Sequence, residues 1–259
     1  MNANLCTVQV LWQRELLRFV KEKSRIVGAL LQPLLLWGLF GVGMGSVFSA
    51  PGNNQMNYME FFFPGVLVMM LLFSSIFATM SLIEDRHEGL LHSILVAPGS
   101  RGAIVLGKSF GASSVAIVQS ILFLGLAPLA GLKLSTIDWP MLFSTLVWGS
   151  LLLSFIGFAV AWLLDSTQGY HVIMSVLLIP LWVLSGAMFP VPAFLIQSKI
   201  AFLNPMTFIS DHMRRALYGG QMPEGFTALV SNPSLELAVL IIATVLAFFI
   251  AHWACRVKR

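Results

Sequence analysis

"FFFPGVLVMMLLFSSIFATMSLIEDRHEGLLHSILVAPGSRG" occupies residues 61–102 and divides at Ile83. Residues 61–83 carry no charged side chain. As a helix rising 1.5 Å per residue, they are long enough to cross a hydrocarbon layer of about 30 Å. Residues 84–101 then hold two Glu, one Asp, two Arg and two His. A long apolar helix that ends in a burst of ionisable groups is a membrane span leaving the bilayer.

The rest of the chain repeats the first half of that pattern. Of 259 residues, 58% are hydrophobic and 10% charged, against about 25% charged in a soluble domain. Six stretches meet the requirement for a span: about 26–48, 61–83, 104–130, 141–163, 171–189 and 235–254. The first five contain no Asp, Glu or Arg, and their only Lys or Arg is Lys108; the sixth opens with Glu236. A transmembrane barrel would alternate polar and apolar residues over about ten positions, and these runs are continuously apolar. Helices also satisfy every backbone amide without water. The expectation is an all-α polytopic protein, a single transmembrane domain over 1–259 with six spans.

Eleven of the fifteen Lys and Arg lie in residues 1–25, in 84–108 or in the C-terminal tail. Basic residues collect at the cytoplasmic ends of spans, so both termini and the 84–101 connection are expected in the cytoplasm. The net charge of +4 is read the same way, as topology and lipid contact, with no nucleic-acid partner. Glu15 and Glu22 lie within the basic N-terminal pattern, so no cleavable signal peptide is evident.

Residues 4–25 read as a helix that does not span. Arg14, Arg18, Lys21 and Arg25 recur at steps of four, three and four and share one face. Leu5, Val8, Trp12, Leu16 and Phe19 lie nearly opposite. Such a helix, running straight into a span, is expected to lie in the membrane interface. The 190–234 connection is the one long loop on the outside. Its prolines and short apolar runs suggest short helices dipping into the outer leaflet.

Chemistry is conspicuous by what it lacks. No carboxylate lies in the middle of a span, which disfavours a carrier driven by its own coupling ion. Ser185-Gly186 interrupts the fifth span without a Gly-x-Ser-x-Gly elbow. His171, the nearest base, lies about 21 Å away along a helix. Glu84–His87 and Glu88–His92 have helical ligand spacing, but no partner motif on another helix completes a metal site. Cys6 and Cys255 belong to no cluster. No catalytic or metal-binding residue is assigned. No Gly-x-x-x-x-Gly-Lys-Ser/Thr loop is present, so energy for driven transport must come from another polypeptide.

The connection itself reads as a helix over 84–97 with an apolar strip of Leu90, Leu91, Ile94 and Leu95. Pro98-Gly99 then forms a turn, and Ser100 caps the next helix. Apolar strip and charged start together suit insertion into a partner's groove. Glu88-Gly89, Leu91, Leu95, Pro98, Ser100-Arg101 and Gly107-Lys108 resemble the cytoplasmic loop of the type-2 permease family of ATP-binding cassette exporters. A second block, Ser185-Gly186, Phe189-Pro190, Asn204-Pro205, Arg214 or Arg215, and Leu217-x-Gly219, resembles the same family.

The resemblance implies two permease chains, identical or paralogous, working with two ATPase chains that hold ATP and Mg2+. Glu84, Arg86, Glu88, Gly89, Leu91, Leu95, Pro98 and Arg101 would couple to the ATPase. Arg14, Arg18, Lys21 and Arg25 would mark the interfacial helix. Ser185, Gly186, Phe189, Pro190 and Arg214 would line or gate the outward route. The function implied is export of a hydrophobic or amphipathic substrate across a bacterial inner membrane; a non-transporting scaffold or sensor partnered with an ATPase is the alternative.

Overall fold

The computed structural model describes residues 3–45, 56–189, 200–223, 228, 230 and 232–257. Among these, the helices longer than one turn are α1 (Ala3–Lys21), α2 (Lys23–Met44), α3 (Tyr58–His87), α4 (Leu90–Val96), α5 (Arg101–Leu124), α6 (Trp139–Leu163), α7 (Thr167–Val183), α8 (Pro205–Leu217) and α9 (Pro233–Val257). No strand occurs among the described residues. Helices α3, α5, α6 and α9 are long and apolar enough to cross a membrane. The Leu30–Met44 part of α2 and all of α7 are apolar but shorter. The six expected stretches therefore fall on six helices, four of full spanning length.

Helix α3 is the axis of the bundle and packs against α2, α5, α6, α7 and α8. It is buried almost all round from Phe61 to Leu72, as a helix without a polar face must be. Around it, small and hydroxyl side chains let neighbours close and then tie them. Ser113 and Ser150 bond across α5 and α6 at 2.5 Å, and Ser154 donates to Ser75 at 3.3 Å. Thr79 and Tyr170 bond at 2.7 Å. Gly157 makes room for that pair, because a Cβ there would stand 2.5 Å from Thr79 Oγ1.

Several boundaries depart from the sequence reading, each for a local reason. The stretch expected over 104–130 stops as a helix at Leu124; residues Ala127–Ala130 form a 3-10 turn closed by Gly131 at φ 94°. The stretch expected over 171–189 begins earlier, at Thr167, where Ser166 caps the first turn through the Gly169 amide, and ends at Val183. Gly186, at φ 81°, turns the chain just beyond. The N-terminal helix is not continuous over 4–25: the backbone leaves helical geometry at Glu22 and α2 starts at Lys23. The helix expected over 84–97 is two helices. Helix α3 runs to His87, Gly89 adopts φ 77°, a left-handed conformation open to glycine at little cost, and α4 starts afresh at Leu90. Ser100 caps α5 as expected, its Oγ accepting from the Ala103 amide at 3.2 Å.

The long 190–234 connection contains α8, whose residues from Met206 to Leu217 are all buried. It packs against α3, α6, α7 and α9. Pro205 occupies the first turn and Asn204 caps it through the Met206 amide at 3.0 Å. Of the two short apolar runs noted in the sequence, Ile200–Leu203 is a 3-10 turn; Ala193–Ile196 and Pro190 lie outside the described residues.

Candidate functional site

The end of the bundle that carries α1, α4 and the close of α9 holds a buried ionic cluster. It begins with glycine. A Cβ on Gly107 would approach Leu11 Cβ to 2.9 Å, and one on Gly111 would collide with Glu15. These two α5 glycines let α1 lie directly against α5, so Leu11 and Glu15 point inward and are buried. Glu15 there meets Lys108 of α5 and Asp85 of α3. The three side chains are 4%, 3% and 0% exposed.

Lys108 Nζ lies 2.5 Å from Glu15 Oε1, donates also to Asp85, and lies 3.3 Å from Ser81 Oγ. Ser81 donates to the second Glu15 oxygen at 3.0 Å. Arg14 grips Asp85 with both terminal nitrogens, at 2.8 and 2.5 Å. Arg18 reaches Glu84 at 2.7 Å and Glu22 at 2.8 Å. A charge taken out of water is costly unless paired and hydrogen-bonded, and every acid named here has a cation. The hydrogen bonds to Asp85 raise the Arg14 guanidinium above its ordinary value.

Arg14 and Arg18, expected to mark an interfacial helix, turn onto the acidic end of α3. Lys21 remains exposed, and the side chain of Arg25 lies outside the described residues. The acidic partners were the missed signal. Glu15 interrupts the basic pattern, and Lys108 is the lone cation of its apolar run; both oddities could have flagged an internal pair.

Helix α4 stands on this cluster. Leu91 is buried and anchors it, and Ile94 packs against the same core. Leu90, Leu95 and Val96 are exposed, Val96 at 86%. Between α4 and α1 runs an apolar groove lined by Val10, Leu90, Ile94, Ala97 and Pro98 among others. The turn after α4 is pinned on the start of α1: the Ser100 amide donates to Asn4 Oδ1 at 2.8 Å, and Gly99 lies against Thr7.

The residues expected to couple to a partner thus separate into two groups. Glu88, Leu95 and Pro98 are exposed. The others act within the chain. Glu84 pairs with Arg18, and Gly89 supplies the bend. Arg86 lies 2.5 Å from Asp165, donates to the carbonyls of Leu164 and Trp162, and lies over the Trp162 ring. His87 contacts the Asp165 carbonyl at 2.7 Å. Arg101 donates to the Cys255 and Arg256 carbonyls at 2.9 and 3.0 Å, the acceptors a helix end leaves open. The acids and imidazoles of 84–92 are therefore dispersed, and among the described residues no group of three metal-ligating side chains forms.

At the opposite end, two of the expected outer residues, Arg214 and Gly186, meet. Arg214 donates to the Gly186 carbonyl at 2.9 Å, and its guanidinium lies 4.8 Å from the centre of the Phe61 ring. Ser185 donates to the Trp182 carbonyl at 2.6 Å and pairs with Ser210 at 2.9 Å, with no base bonded to it among the described residues. Phe189 is exposed. Sequence reasoning missed their neighbours: Glu236 of α9 is shared by Arg215 and His212, each at 3.2 Å, and Tyr218 donates to Glu60 at 3.0 Å.

An all-helical, multi-pass membrane protein with a charged, partly apolar platform at one end, and no nucleotide-binding loop in its sequence, has the build of a transporter's membrane subunit. Residues 7–218 match the family model described as ABC-2 type transporter, and the chain belongs to that family. It is 28% identical over 211 residues to the transport permease ycf38 of Cyanophora paradoxa, covering 79% of this chain and 72% of that one. It is 24% identical over 249 residues to nodulation protein J of Neorhizobium galegae, covering 93% and 89%. The ycf38 permease of Porphyra purpurea is 26% identical over 220 residues, covering 80% and 72%. The chain is thus a transmembrane transporter subunit, and its family implies an ABC ATPase as partner.

Proposed function

We propose that this chain is the permease of an exporter in the inner membrane of a bacterium, with ATP and Mg2+ held by a separate ATPase. Two permease chains, identical or paralogous, would pair with two ATPases, and the six apolar helices would each cross the bilayer. The cargo would be hydrophobic or amphipathic: a drug, a lipid or a lipid-linked saccharide. That class is supported by the scarcity of charge inside the apolar helices, where Lys108 is already neutralised by Glu15 and Asp85.

One observation carries the reading. Exposed Leu95 and Val96 sit on a short helix anchored by buried Leu91, next to the ion-paired end of α3. An exposed apolar helix on a braced base suits a groove on another protein. Force applied to it would pass to α1, α3 and α5 together.

The test is co-purification. Leu95→Asp combined with Val96→Asp changes only exposed side chains, so the permease should fold normally. The ATPase encoded with it should no longer be retained on the tagged permease, and permease-stimulated ATP hydrolysis in proteoliposomes should fall at least tenfold. Retention and stimulation at wild-type levels would refute α4 as the coupling element. An ATPase that binds the wild type without being stimulated would favour the scaffold.

A further inference from the structure

His212 stands apart from the coupling surface, on buried α8 at the opposite end of the bundle. Its Nδ1 lies 3.2 Å from Glu236 Oε2 on α9, and its Nε2 lies 3.4 Å from Ser144 Oγ on α6. Nδ1 beside a carboxylate must carry a hydrogen. Ser144 already donates its own hydrogen to the Met141 carbonyl at 2.7 Å, so towards His212 its oxygen is an acceptor. Both ring nitrogens face acceptors, and only the imidazolium carries a donor on each. A neutral ring must draw the Ser144 hydrogen away from the shorter bond or leave the α6 contact unmade.

The charges around it point the same way. On α9, Glu236 is already matched by Arg215 of α8. On α8 itself, Asp211 precedes the imidazole in the chain and attracts Arg214, whose guanidinium reaches Gly186 and Phe61. Before α6, Asp138 caps its first turn and lines an open groove shared with Ser144, His212 and Gly220. On α3, Glu60 accepts from Tyr218. The titratable residues of α7, Tyr170 and His171, lie near its far end, where Tyr170 bonds to Thr79. Among the described residues named here, Glu236, Asp211, Asp138 and Glu60 outnumber Arg214 and Arg215, so a third cation is electrostatically welcome.

We infer that His212 is a proton-operated fastener: as an imidazolium it ties α8 to both α6 and α9, and on losing its proton it releases the α6 link. The groove along Asp138 and Ser144 gives protons access from the face opposite the coupling surface. In the proposed exporter that face is external, so acidity outside the cell would hold α8 seated. The inference itself does not depend on that function.

The experiment is thermal unfolding of the purified full chain in nanodiscs at about pH 5.5 and pH 8, the range over which an imidazole changes charge. Because the bonded form is the protonated one, its stabilisation is present at the acidic pH and lost as pH rises. The wild type should gain several degrees in Tm on acidification relative to His212→Gln, which should lose at least half of that gain. Ser144→Ala keeps the ring but removes the Nε2 acceptor, and it should also reduce the gain. This variant serves as the test should His212→Gln fail to fold. An acid-dependent gain equal to wild type in either variant would overturn the inference.

Discussion

Lys108→Met is expected to cause one of the largest losses of stability of any single substitution, about 3–5 kcal/mol, the cost of removing one partner from a buried ion pair. Methionine keeps most of the lysine stem and ends about one atom short of the ammonium, so the effect is dominated by the lost charge. Among the described residues Glu15 then keeps one hydrogen-bond partner, the Ser81 hydroxyl, while Asp85 still has Arg14 and Arg18. The double variant Glu15→Gln with Lys108→Met also removes the charge that Lys108→Met alone orphans and should recover most of the loss. Thermal unfolding in nanodiscs measures both. A Lys108→Met protein as stable as wild type would mean that the cluster contributes nothing. Hydrogen exchange should further locate the damage in α1, which loses the Glu15–Lys108 pair.

Gly65→Ala is the second large expected effect. Gly65 lies in α3 where a Cβ would collide with the backbone of Ala187. Backbone cannot rotate away as a side chain can, so the 185–187 turn must shift. Overpacking of this kind costs about 1–3 kcal/mol. The shift also disturbs the Gly186 carbonyl that Arg214 needs and the bond from Trp182 Nε1 to the Gly65 carbonyl at 3.0 Å. A lowered Tm and a loss of transport are both expected. Gly28→Ala is the control: nothing stands within 4 Å of its Cβ position, and alanine in a helix is favoured over glycine by about 1 kcal/mol. It should be neutral or slightly stabilising. Equal behaviour of the two variants would refute the close approach at Gly65.

The elements easy to read in the sequence were those set by composition over twenty residues. The long apolar runs became α3, α5, α6 and α9 because membrane length and hydropathy fix such helices almost alone. The Ser100 cap was legible because it is purely local. The break at Gly89 was not, since a glycine between two helical patterns looks the same whether or not the chain bends there. Helix α8 was only suggested, as its thirteen residues are too few and too polar for a span and owe their burial to surrounding helices. The ionic cluster depended on pairings 23 to 93 residues apart, and the oddities of Glu15 and Lys108 hinted at an internal pair without saying which residues meet. Arg86 shows the same limit. Its charge suggested a partner protein, whereas its bonds go to the α6–α7 connection.

The seating of Lys108 also bears on how the chain is made. Synthesis runs from the N-terminus, so Glu15 and then Asp85 leave the ribosome before Lys108 does. Both counter-ions exist before the lysine is presented to the bilayer. A lysine inserted alone at the centre of a span costs about 2.5–3.5 kcal/mol, and this one enters a membrane where its neutralising site is already half assembled. Helix α1 is made before α5 but cannot finish its packing until α5 arrives, so the lysine that seats it reports that the third apolar stretch has inserted.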